Sequence, residues 1–172
     1  IENYAATPST IGPKCVLWWA ARHRFTVGIL DISNAFVHAT LPPDEPAVWL
    51  LPPANVRGAA GTVGEVWRAK NAIQGLQKSP KYFQQWFAAR LLQVGFRGLV
   101  SDPQMYFRPA DGTLLAIHVD DIMLAANPDK IEDVYEVLKS IVTLKPLVKL
   151  EQEWVRFLGF EWRRLDNDHF EI

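Results

Sequence analysis

The sequence has a single cysteine, Cys15, in 172 residues, which excludes an internal disulfide and any zinc site built on cysteines. That count suits a reducing compartment. No apolar stretch approaches the roughly 20 residues needed to span a bilayer, so no membrane partner is expected. No signal-peptide pattern opens the chain, which starts at Ile1 rather than Met and so reads as a piece of a longer protein. Internal repeats and low-complexity tracts are absent. An excess of positive charge is lacking too. Taken over the whole chain, a net charge of −1 argues against a nucleic-acid binder, because phosphates are contacted mainly by Lys and Arg.

What is present points to a folded domain. Hydrophobic residues make up 49% of the chain, with seven Trp and nine Phe, enough for one well-buried core. Charge is unevenly spread. Residues 57–97 carry Arg57, Arg68, Lys70, Lys78, Lys81, Arg90 and Arg97 against one acid, Glu65, whereas residues 129–153 are rich in acids. A basic, aromatic-laced middle is compatible with tracking a phosphate backbone, although a solvated charged face is the commoner origin of such a run.

The most informative stretch is residues 114–126, two apolar runs with Asp120 and Asp121 between them. Each run is about strand length, so the pattern predicts a β-hairpin presenting both acids at its tip. Asp31 ends another β-rich run, residues 25–30. Carboxylates delivered by separate strands to one place suit a hard divalent cation such as Mg²⁺, which takes oxygen ligands, and this points towards phosphoryl transfer. The bland alternative is that Asp simply favours turns, where its side chain bonds nearby backbone. A signalling receiver domain also pairs acids at a strand end, but it needs a phosphoacceptor Asp and a Lys on later strands, and no segment after Asp121 looks like that.

Around these runs the spacing predicts a helix over residues 13–23, loop and hairpin over 40–64 with a short apolar run at 48–51, and a strand at 65–68. A helix capped by Ser79, with Pro80 in its first turn, carries Tyr82, Phe83, Trp86, Phe87, Leu91 and Val94 at helical spacing and stops at Gly95. Strands at 104–108 and 113–119 join across Asp111 and Gly112. Asn127 and Pro128 cap a helix to about residue 141, and strands follow at 155–165 and 169–172 around a turn at 166–168. The order is α+β, with a mixed or antiparallel sheet and helices on one face.

Five blocks in order, residues 30–38, 73–80, 101–103, 118–121 and 157–161, resemble those of Ty1/copia-type retrotransposon reverse transcriptases. The resemblance implies a polymerase palm, ferredoxin-like, with part of the fingers; residues 1–172 would be a single domain fragment lacking the N-terminal fingers strand and most of the thumb. It implies Asp31, Asp120 and Asp121 as catalytic, metal-binding carboxylates for two Mg²⁺ (or Mn²⁺) ions. Asn34, Ala35, Phe36, Gln74 and Gly75 would meet the incoming dNTP, with Phe36 beneath its sugar, clashing with a ribose 2′-hydroxyl. His118, Val119, Phe157, Leu158, Gly159 and Phe160 would meet primer and template, the last four as the primer grip. For that hairpin the plain alternative is an amphipathic edge with Phe157 and Phe160 packed inward.

The implied partners are an RNA or DNA template with its primer, dNTPs, and the rest of a transposon polyprotein, including integrase and RNase H. The implied reaction is addition of dNMP to a primer 3′-end. Its rival is a decayed relic that keeps the fold as a nucleic-acid or protein interaction module. Two departures stand out. His118 replaces the family's Tyr or Phe, and Gln74, Gln77 and Lys78 stand where copia-type enzymes have Tyr, Lys and Gln.

Overall fold

The computed structural model describes residues 11–53, 66–151, 153–166 and 169–172. Its centre is a six-stranded sheet built on three strands, β1 (Thr26–Asp31), β6 (Thr113–His118) and β7 (Asp121–Ala126). These are the near-continuous apolar runs of the sequence, and such runs form strands buried on both faces. Side chains alternate across a strand, so Ile122, Leu124 and Ala126 of β7 enter one core while Met123 and Ala125 enter a second on the opposite face. The flanks of the sheet are β4 (Arg97–Gly98), β5 (Met105–Arg108) and β8 (Val148–Lys149), in the order β4-β5-β6-β7-β1-β8. Every paired strand is antiparallel, which settles the choice between a mixed and an antiparallel sheet. A two-stranded ribbon, β2 (Trp49–Leu50) with β3 (Trp67–Arg68), stands apart; residues 54–64 of the expected loop, Glu65 of the expected strand, and residues 167–168 of the expected turn at 166–168 lie outside the described residues.

The helices correct one expectation. α2 (Ser79–Gln93) and α3 (Ile131–Lys139) cover the first core through Phe83, Phe87 and Leu91, and through Ile131, Val134 and Leu138. α1 (Ile11–His23), however, buries Val16, Leu17 and Ala20 in the second core, against the other face of the same sheet. Helical spacing shows which side of a helix turns inward and not which face of a sheet receives it, so helices expected on one face occupy both. A hairpin of β9 (Val155–Phe157) and β10 (Phe160–Arg164), with β11 (Phe170–Glu171) at its edge, completes the second core through Phe157 and Trp162. Its two-residue turn holds Leu158 and Gly159 at φ 52 and 79, the left-handed pair that a tight right-twisted hairpin demands.

Two cap expectations also change. Lys78 occupies the N-cap of α2, and Ser79, fully buried, instead donates its hydroxyl to the Ile73 carbonyl at 2.6 Å and accepts from the Ile73 N–H at 3.1 Å. It ties the preceding loop to the helix. α3 starts at Ile131 after Lys130, while Asn127 accepts from the Asp129 N–H at 2.9 Å and shapes the turn ahead of it.

Candidate active site

Strand register assembles the site. β1 and β7 pair from Thr26 with Ala126 to Asp31 with Asp121, and β6 and β7 end on His118 opposite Asp121. His118, Asp121 and Asp31 therefore form one row across three strands, and directly opposed residues project to the same face. That face is the one closed by α1 and the β9–β10 hairpin, since Ile29, Ala116 and Met123, two positions away in each strand, belong to the second core. Asp120 follows Val119 in the turn and is exposed; its carbonyl accepts from the Ile32 N–H at 2.7 Å, stitching the turn to the end of β1. Val119 itself has φ 53, an outlier for a β-branched residue and the kind of strain retained where surroundings over-determine it.

Three carboxylates so gathered repel one another. Burial pushes the Asp121 carboxyl above its ordinary pKa, the charges of Asp120 and Asp31 push it further, and His118 and Lys145 pull it back without cancelling the rise. Lys145 was invisible in the sequence. Its ammonium lies 2.9 Å from an Asp31 carboxylate oxygen, and its backbone N–H donates to the Asp31 carbonyl at 2.9 Å. Hydrogen bonding to Asp31 holds the Lys145 ammonium above its usual pKa. The two residues are 114 positions apart, and nothing in the local pattern of residues 143–147 marks this lysine for the site. His118 keeps its Nδ1 buried without a hydrogen-bond partner.

Two cavities adjoin the row. The larger, about 840 Å³, is lined by His118 and Asp121 together with Phe157, Leu158, Gly159 and Phe160, so the acids and the hairpin share one space. Of the two phenylalanines, which oppose each other across the hairpin, Phe157 packs inward, whereas Phe160, edge to face with Trp162, is 51% exposed. The smaller cavity, about 290 Å³, joins Asn34, Ala35, Phe36 and Gln74 to Val119 and Asp120. Phe36, on a single 3-10 turn (Ala35–His38), is half-buried and meets Phe83 edge to face at 6.3 Å. Asn34 is exposed at φ 53, and Gly75 at φ 91 faces open space beside Gln74. Lys78 turns away to Glu45, at 2.8 Å, where the Tyr82 hydroxyl also donates. Asn34, Ala35, Phe36 and Gln74 thus meet Val119 and Asp120 around one cavity, and the β9–β10 hairpin meets His118 and Asp121 around the other.

Among the described residues no group of three or more His, Cys, Asp and Glu side chains is drawn close enough to hold a metal ion as it stands. Asp31 is turned to the Lys145 ammonium instead. The donor chemistry still fits a hard divalent cation, because three carboxylates supply oxygen ligands and a cation would relieve both the burial of the Asp121 charge and its repulsion by Asp120 and Asp31.

Comparison with known proteins gives the family. A family model described as reverse transcriptase (RNA-dependent DNA polymerase) matches residues 13–168. A putative transposon Ty5-1 protein of Saccharomyces cerevisiae is 29% identical over 141 residues, 80% of this chain and 43% of its own length. Retrovirus-related Pol polyproteins from transposons RE1 and RE2 of Arabidopsis thaliana are each 25% identical over 95% of the chain, which spans 11% of either polyprotein.

Proposed function

Because the chain belongs to the reverse transcriptase (RNA-dependent DNA polymerase) family, we propose that it is the palm, with part of the fingers, of a copia-type polymerase that adds dNMP to a primer 3′-end. The observation that carries the reading is the row of Asp31 opposite Asp121 with Asp120 adjoining, three acids from two strands and a turn. Bound there, two Mg²⁺ or Mn²⁺ ions would lower the pKa of the primer hydroxyl and neutralise the departing pyrophosphate. The chain's own work is positioning, which accounts for most of the rate in this chemistry.

Each cavity takes one reactant. The smaller receives the incoming dNTP, with Asn34 and Ala35 near the triphosphate, Gln74 and Gly75 at the rim, and the Phe36 ring against the sugar. The larger receives the primer terminus, held by Phe157, Leu158, Gly159 and Phe160 and stacked near His118 and Val119. Asp31, Asp120 and Asp121 are the residues that would hold the cations. Template RNA or DNA, and the remaining domains of a transposon polyprotein, are the partners this assignment requires.

The Lys145–Asp31 pair favours a second reading, a relic whose acids are neutralised internally and whose fold serves only binding. Titration with Mn²⁺, followed by its electron-spin resonance signal, separates the two. An enzyme site loses affinity about tenfold or more in Asp31→Asn and in Asp120→Asn, since even outer-shell changes cost 10–100-fold. It gains affinity in Lys145→Gln, which frees Asp31. Equal binding by all four proteins, with the fold intact by circular dichroism, would leave only the relic.

A further inference from the structure

The outer side of α1 takes no part in the acid corner or its cavities except at one end. Its sequence, Ile11–His23, contains no acidic residue, and its inward side is Val16, Leu17 and Ala20. Outward, Lys14, Trp18 and Arg22 recur every four residues, which sets them one above another along a single line of the helix. Arg24 stands just past the helix end. All four are exposed, Trp18 by 65%. Among the described residues Lys14, Arg22 and Arg24 make no ion pair, whereas Lys130, Lys139, Lys145 and Lys149 each have a carboxylate partner.

Placement adds to the charge. Trp18, Arg22 and Arg24 frame a shallow depression of about 420 Å³ on this face. Arg24 holds φ 56 at the end of the helix, where glycine would sit without strain. At the opposite end Lys14 lines the larger cavity with His118, Asp121 and Arg156, so the stripe runs continuously out of the acid corner. At 1.5 Å per residue Lys14 and Arg22 are about 12 Å apart along the axis, more than one nucleotide of a strand.

We propose that this face of α1 is a track for a single-stranded polynucleotide, with Lys14, Arg22 and Arg24 on its phosphates and the Trp18 indole stacked on a base. The inference rests on the polymerase reading and extends it to a surface leading away from the reacting end. Charge complementarity selects a polyanion. The exposed indole between cations selects one with free π-faces, which an unpaired strand offers and a duplex hides.

Fluorescence anisotropy with a labelled short oligothymidine tests the track. The unaltered chain binds it, and Trp18→Ala weakens binding about tenfold while leaving a duplex of matched length unaffected. In the Lys14→Gln/Arg22→Gln double variant the slope of log affinity against log salt falls by about 0.7 per lost phosphate contact. Lys139→Gln on α3 changes neither quantity. The proposal is overturned if the unaltered chain fails to bind, if the track variants bind as it does, or if polyglutamate displaces the oligonucleotide as effectively as unlabelled oligothymidine. Loss of the track together with intact, aspartate-dependent Mn²⁺ binding would remove this inference and leave the polymerase reading standing.

Discussion

The two turns at the ends of β6 are built from similar residues and end in opposite electrostatic states. At the first, Asp111 takes the guanidinium of Arg108 and the Thr113 N–H, Arg108 lies over the Phe96 ring at 5.2 Å, and Trp19 donates to the Gly112 carbonyl at 2.9 Å. Burial raises the Asp111 pKa, but the hydrogen bonds from Arg108 and Thr113 outweigh it and leave the carboxyl below its usual range. Among the described residues, the buried Thr113 hydroxyl there lacks a partner. At the second turn the glycine at positive φ is replaced by strained Val119, the acid faces two other acids, and His118 keeps an unpartnered nitrogen. A turn that merely closes a hairpin satisfies its own charges. One that leaves a carboxylate raised and crowded, beside a strained residue, is where we propose that a cation binds.

The contrast breaks first at the closed turn. Asp111→Asn removes the charge that balances a largely buried Arg108, and stability should fall by about 1–3 kcal/mol; urea denaturation measures it. Next comes the cavity beside the open turn. In an active polyprotein, Phe36→Val should raise ribonucleotide over deoxynucleotide incorporation about tenfold, because a ring that excludes a 2′-hydroxyl by roughly 1–3 kcal/mol no longer does so. An unmoved ratio of kcat/KM values would make Phe36 a core residue, as its contact with Phe83 alone would have it.

The smallest effect is the pH dependence, and its sign differs between the turns. The folded chain holds the Asp121 proton to higher pH than the unfolded chain, so that group's contribution is fully present below the ordinary carboxylate pKa and is lost as pH rises through the raised value. Asp111 contributes above the ordinary value and loses it as pH falls through the lowered one. Thermal unfolding at neutral pH should therefore rise in Asp121→Asn and fall in Asp111→Asn.

Much of this was legible in the residues. The apolar runs about Asp120 and Asp121 specified the hairpin, and the apolar run before Asp31 specified a buried strand, because strand burial and turn chemistry are local properties; the pairing that sets Asp31 opposite Asp121 is long-range. What was not legible depends on distant packing. The face taken by α1 follows from Val16, Leu17 and Ala20 meeting Met123 and Ala125. Ser79 reads as a cap until the Ile73 backbone reaches it. Lys145 finds Asp31 through the loop after α3 and announces itself by no pattern. The roles of Phe36, Gln74 and the Phe157–Phe160 hairpin came from resemblance; the cavities they line are what support those roles.

The most direct test of the contrast is Mn²⁺ binding by the unaltered chain, Asp121→Asn and Asp111→Asn, each titrated at falling pH. An open acid corner predicts that Asp121→Asn weakens binding about tenfold or more, that Asp111→Asn binds as the unaltered chain does, and that affinity in the latter two starts to fall at a pH above the ordinary carboxylate range. Equal loss in the two variants, or no loss in either, would contradict it.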